Sequence, residues 1–135
     1  LSVLKNEDYS NRRALVVEDN ELNLEIAVEL LKYAGLNITT AKNGLEGLDK
    51  FKAAPPGTYA LILMDIQMPV MNGLEAAKAI RALPVNDAQT VPIVAMTANA
   101  FPEDIAATLQ AGMNEHLSKP IDLEQFHSIL QKWCQ

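Results

Sequence analysis

Cysteine is nearly absent: Cys134 is the single one in 135 residues. A lone thiol beside the C-terminus excludes a disulfide framework and supplies no metal-ligand cluster, which fits a reducing compartment. Basic charge is also scarce, with 11 Lys and Arg against 17 Asp and Glu and a formal net charge of -6. Broad binding to nucleic acid needs a basic surface that displaces counterions from phosphates, so a DNA-binding output unit is not expected in this segment. No apolar run is long enough to span a bilayer, and no stretch of the chain reads as a signal peptide. A chain that opens on Leu1 instead of methionine reads as a piece of a longer protein. What remains is ordinary for a globular domain, 49% hydrophobic and 21% charged residues, enough for one core and too short for a second module.

Apolar runs alternate with helical patterns, the signature of a parallel sheet covered by helices on both faces. Strands are predicted at about Ala14 to Asp19, Asn37 to Ala41, Tyr59 to Asp65, Val91 to Thr97 and Glu115 to Ser118. Asn20 is placed to cap a helix in which Leu22, Ile26, Leu30 and Leu31 recur at helical spacing and which Gly35 ends. Gly44 to Ala53 reads as a helix with Leu45, Leu48 and Phe51 inward, closed by Pro55, Pro56 and Gly57. Asn72 and Gly73 lead into a helix through Leu83, and Pro102 suits the first turn of another. Asp122, with Gln125 three residues on, resembles a capping box for a last helix carrying Leu123, Phe126, Ile129 and Leu130.

Right-handed crossovers bring the C-terminal ends of all such strands to one edge, where ligands bind at a topological switch point. Glu18, Asp19, Asp65, Thr97 and Lys119 each stand at or just beyond a strand end, so five polar groups are expected to converge there. Carboxylates held together raise one another's pKa unless a cation intervenes, and hard oxygen ligands suit Mg²⁺ or Mn²⁺. Such a metal leaves positions open for phosphate oxygens. A carboxylate can then act as nucleophile to form an aspartyl phosphate, while metal, lysine and hydroxyl spread the developing charge. Asp65, at the end of LILMD and the start of IQMPVMNG, is the best placed to attack.

The motifs VVEDN at Val16 to Asn20, LMDIQMPVMNG at Leu63 to Gly73, VAMTAN at Val94 to Asn99 and HLSKP at His116 to Pro120 resemble, together, those of the receiver domains of two-component response regulators. The likeness runs from about Arg12 to Lys132, leaving residues 1 to 11 as an N-terminal extension or linker to a receiver at 12 to 135. It implies a doubly wound, flavodoxin-like α/β fold, a five-stranded parallel sheet of order 2-1-3-4-5 with five helices. It also implies Asp65 as phosphoacceptor, Asp19 as a direct metal ligand, Glu18 as a ligand acting mainly through water, and Gln67 as the donor of a backbone carbonyl to the metal. Thr97 and Lys119 take the roles of phosphoryl-sensing hydroxyl and charge partner. The family's switch aromatic, three residues before the lysine, is here His116, whose imidazole titrates near neutral pH. His116 as switch and His116 as an ordinary edge-strand residue both stand. Gln67 and Asn99, two residues after Asp65 and Thr97, would orient or block an attacking water and so set the phosphoryl lifetime. A cis peptide is expected before Pro120.

Wording such as EDNELNLEIAVELL and GMNEHLSKPID resembles the receivers of hybrid histidine kinases. The implied partners are the phosphohistidine domain of a kinase and a histidine phosphotransfer domain, with no direct nucleic acid or membrane insertion. Docking would use Leu22, Leu24, Met68 and Pro120. The implied location faces the cytosolic kinase machinery, with membrane attachment of the parent left open, and the domain would promote only its own phosphorylation and dephosphorylation. A receiver that stands alone or feeds a DNA-binding output, and a non-catalytic pseudo-receiver, are the alternatives. A haloacid-dehalogenase-type phosphatase wants a second acid where Gln67 stands, and a flavodoxin-type cofactor binder would be repelled by the acidic EDNELN loop.

Overall fold

In the computed structural model the described residues are 9–98, 101–119 and 121–134. Five strands, β1 (Arg13–Val17), β2 (Asn37–Ala41), β3 (Leu61–Asp65), β4 (Ile93–Thr97) and β5 (Glu115–Ser118), pair in parallel in the order β2-β1-β3-β4-β5. The residues of β3 are buried throughout, as expected for a central strand covered on both faces. Registers such as Val17 with Met64 and Asp65 with Met96 bring the C-terminal ends of β1, β3 and β4 level. This levelling makes the strand-end residues neighbours.

Six helices are present among the described residues, one more than predicted: α1 (Glu21–Tyr33), α2 (Gly44–Ala53), α3 (Gly73–Arg81), α4 (Asn86–Thr90), α5 (Pro102–Gln110) and α6 (Leu123–Trp133). The extra one is α4, a five-residue turn. The helix expected to run through Leu83 ends at Arg81, because Pro84 disfavours helical backbone in the residue before it. Alternating strand residues feed two cores. Ala14, Val16, Leu63 and Met96 pack with Leu31 of α1 and Phe126 and Leu130 of α6. Leu15, Val17, Ile62 and Met64 pack on the other face with Phe51 of α2 and Ala77 and Ile80 of α3.

Helix starts follow short polar side chains. Asn20, Asn43 and Asn72 accept from the backbone N–H three residues on, at 2.9, 2.8 and 2.9 Å. At Asn72 the Glu75 carboxylate accepts from the cap's own N–H at 3.0 Å, which completes a capping box. The box expected at Asp122 does not form. Asp122 accepts from Glu124 N–H at 3.2 Å, while Gln125 Nε2 donates to the His116 carbonyl oxygen at 3.4 Å and ties α6 to the edge strand.

Two side-chain assignments are also corrected. Leu45 is exposed because α2 presses its glycine against the sheet: a Cβ on Gly47 would meet Val17 Cγ2 at 2.8 Å. On α1, Leu31 is buried and Leu30 partly so, whereas Leu22 and Ile26 face outward at 64% and 40% exposure. Tyr9 packs into the first core beside Cys134, and Arg12 Nε donates to the Cys134 carbonyl oxygen at 2.8 Å. Burial pushes the Cys134 thiol up to about 11, consistent with an inert residue.

Candidate phosphoacceptor and metal site

The site is assembled where β1, β3, β4 and β5 stop. Glu18 leaves β1 with its N–H bonded to the Ala41 carbonyl oxygen at 3.0 Å, and Lys119 leaves β5 with its N–H bonded to that of Thr97 at 2.9 Å. Gly73 N–H donates to the Ile66 carbonyl oxygen at 2.8 Å and closes the loop after Asp65. A Cβ on Gly73 would collide with the Asp65 carbonyl oxygen, so only glycine lets α3 start this close to the acceptor strand.

Three of the five predicted strand-end groups are tied together by charge. Lys119 Nζ lies 2.9 Å from both Asp65 Oδ1 and Glu18 Oε2. Glu18 and Asp65 are buried, at 1% and 4% exposure, and Asp19 is exposed. Glu18 Oε1 accepts from Asn20 N–H at 3.2 Å, so the cap residue also steadies the buried acid. One ligand oxygen from each of Glu18, Asp19 and Asp65 lies within 4.8 Å of the others. Thr97, half-buried, and Gln67, exposed, line the same cleft of about 270 Å³.

Burial pushes the Asp65 carboxyl up to about 7; the Lys119 hydrogen bond pulls it down, and the Glu18 charge pushes it further up. Burial acts to lower the Lys119 ammonium, but Glu18 and Asp65 outweigh it and hold the pKa above the ordinary lysine value. Three carboxylates against one ammonium leave a formal excess of two negative charges, with Lys119 Nζ shared between Glu18 Oε2 and Asp65 Oδ1. The donor set fits a hard divalent cation: oxygen ligands close enough to share an ion, with one acid open to solvent.

The cleft has walls that the strand-end pattern did not single out. Asn23 of α1, Leu74 of α3 and Asp104 and Ala107 of α5 complete it. All lie in the first two turns of helices that follow strands, and that placement is the signal that could have found them. His116 is half-buried on β5, paired with Ala95. Leu24, expected at the docking face, is half-buried and packs against the first core. Asn99 and Pro120, with the peptide expected to be cis, lie outside the described residues.

The family of response regulator receiver domains matches residues 14–131, and the chain belongs to it. Over 121 residues the chain is 37% identical to hybrid signal transduction histidine kinase I of Dictyostelium discoideum, covering 88% of the chain and 7% of that protein. Among solved structures it resembles the receiver domain of a sensor histidine kinase of Pseudomonas aeruginosa PAO1, which holds a magnesium ion in its active-site cleft. That likeness has a TM-score of 0.82 at 35% identity and covers 92% of this chain and 98% of the other. It also resembles a receiver domain co-crystallised with a histidine phosphotransfer signalling protein of Saccharomyces cerevisiae, with a TM-score of 0.80 at 32% identity over 93% of this chain and 90% of the other. The chain is thus a receiver domain similar to segments of hybrid histidine kinases and spans only a small part of their length.

Proposed function

We propose that this receiver takes a phosphoryl group from a phosphohistidine onto Asp65 and passes it to a histidine phosphotransfer domain, as one station of a phosphorelay within a hybrid histidine kinase. The observation that carries the reading is Lys119 Nζ at 2.9 Å from Asp65 Oδ1 in a buried, doubly acidic corner. Asp65 attacks phosphorus in its ionised form; a P–O bond to the carboxylate forms, the P–N bond to the donor imidazole breaks, and the electron pair leaves with that nitrogen. Lys119 stays beside the reacting carboxylate and offsets charge on the transferred oxygens, and Thr97 donates its hydroxyl to one of them.

Mg²⁺, or Mn²⁺, would be held by Asp19 and Asp65, by the Gln67 carbonyl oxygen and, through water, by Glu18. When bound it neutralises phosphoryl oxygens and keeps Asp65 ionised. Thr97 and His116 form the proposed switch pair, and Gln67 and Asn99 govern how readily water reaches the acyl phosphate. The solvent-facing Leu22 and Ile26, with Met68 and Pro120, are assigned to docking of the histidine-bearing domains. Residues 12 to 135 form the receiver unit and residues 1 to 11 an extension or linker, with Tyr9 folded back onto the core.

We place the domain in the cytoplasm with no direct membrane or nucleic-acid contact; among the described residues no helix is long and apolar enough to cross a membrane. Incubation with a phosphorylated histidine phosphotransfer protein tests the reading. Label should move to the wild-type chain only with a divalent cation and never to Asp65→Asn; metal-independent transfer, or labelled Asp65→Asn, overturns it.

A further inference from the structure

A second cavity lies at the pole opposite the acceptor site, where helices end and strands begin. It measures about 320 Å³ and is bounded by the end of α2, the loop that leads to β3, and the turn between α3 and α4. Phe51, Ala54, Pro56, Leu83 and Val85 line it. Phe51 is buried and stacks on Tyr59 with ring centroids 5.9 Å apart, so the cavity has one fixed aromatic side. The turns around it are held by their own hydrogen bonds. Thr58 Oγ1 donates to the Pro55 carbonyl oxygen at 2.6 Å, and Val85 N–H donates to that of Leu83 at 2.9 Å. A pre-formed, mostly apolar hollow of this size is the usual form of a small-molecule site.

Two charged residues of opposite sign, Lys52 and Asp87, complete the lining. Among the described residues neither takes part in an ion pair. Asp87 Oδ2 accepts from Gly57 N–H at 2.8 Å, whereas Oδ1 is enclosed and has no hydrogen-bond partner. An enclosed carboxylate oxygen without a donor is a cost that packing within the domain does not explain.

We propose that this cavity is a second binding site, for a small zwitterion with an apolar body, the chemical class of the apolar α-amino acids. The body fills the space beside Phe51 and Leu83, the ammonium pairs with Asp87, and the carboxylate pairs with Lys52. Charge decides the class. A ligand bearing only an ammonium gains Asp87 but meets Lys52 as a like charge, and one bearing only a carboxylate gains Lys52 but meets Asp87 as a like charge. A zwitterion satisfies both. None of the lining residues belongs to the acceptor cleft, so the inference stands apart from phosphoryl transfer to Asp65.

Titration of the full chain with phenylalanine, followed by the methyl NMR signals of Leu83 and Val85, tests the assignment, with phenethylamine and phenylpropanoate as single-charge analogues. Phenylalanine should shift both residues' methyl signals saturably, with a Kd on the order of 1 mM, and each analogue should bind at least about threefold more weakly. Two variants locate the charges. In Asp87→Asn the amide oxygen can still accept from Gly57 N–H, and Lys52→Gln changes an exposed position, so both should melt as the wild type does. Each should weaken phenylalanine by roughly threefold or more. Failure of phenylalanine to saturate the shifts at its solubility limit, equal affinity for all three compounds, or unchanged affinity in Lys52→Gln or in a folded Asp87→Asn overturns the inference and leaves the phosphoacceptor reading intact.

Discussion

Replacing Asp65 by asparagine should stabilise the metal-free domain, by an amount set by pH. The Asp65 carboxyl moves from an ordinary value of 3.8 to about 7 in the fold, chiefly through burial. A raised carboxylate pKa means that the folded state holds the proton more tightly than the unfolded chain. Its contribution to stability is fully present below about pH 3.8 and is lost as pH rises through about 7. Each tenfold change in proton affinity is about 1.4 kcal/mol, so ionised Asp65 costs the fold on the order of 4 kcal/mol at pH 8. The neutral isostere escapes that cost. The Asp65→Asn variant should therefore gain roughly 4 kcal/mol at pH 8 but less than about 1 kcal/mol at pH 4. For a domain of this size the gain at pH 8 corresponds to a rise in Tm of roughly 10–20 °C. Urea unfolding at both pH values in chelator gives the comparison, and millimolar Mg²⁺ should then narrow the gap by stabilising the wild type. A pH-independent gain, or a variant weaker than wild type at pH 8, refutes the reasoning.

Gly73→Ala places a methyl against the Asp65 carbonyl oxygen and should cost about 2 kcal/mol or more through a forced backbone shift; an unchanged urea midpoint would contradict the close approach. Leu22→Asp with Ile26→Asp removes an exposed apolar stripe from α1 and should slow transfer from a protein phosphodonor roughly tenfold, with acetyl phosphate labelling and melting unchanged. Equal rates from the protein donor would remove α1 from the docking face.

Much of the frame was legible because its punctuation is sharp. Asn37–Ala41, Gly44–Ala53 and Glu115–Ser118 form as predicted, the first two bounded by Gly35, Asn43 and the Pro55, Pro56 pair. α4 was not legible: Asn86–Thr90 has no apolar periodicity, and no side chain caps it. The Asp122 box failed because a capping pattern names candidate donors and acceptors without the competition between them, and Gln125 reached the His116 carbonyl instead. Ile26, expected among the apolar positions of α1, is exposed while Leu24 packs against the first core, because helical spacing alone does not say which edge of the helix meets the sheet.

In the site, the strand-end rule located the acids, Thr97 and Lys119 from the order of residues alone. The rule says nothing about distance. That one ammonium bridges Glu18 and Asp65 depends on β5 lying two strands from β3 with Lys119 reaching across the end of β4. Arg81 was equally opaque. It donates to the Gly112 and Ala88 carbonyl oxygens and to Asn114 Oδ1, at 2.9, 3.0 and 2.9 Å, joining segments up to 33 residues away in sequence.

Intact mass after incubation with acetyl phosphate and Mg²⁺, under rapid acid quench, tests the central claim most directly. The wild-type chain should gain one phosphoryl group that maps to Asp65, while Asp65→Asn and a chelated control gain none. A wild-type chain that stays unmodified with both acetyl phosphate and a phosphorylated histidine donor would contradict the account and leave a receiver fold that serves as an interaction module.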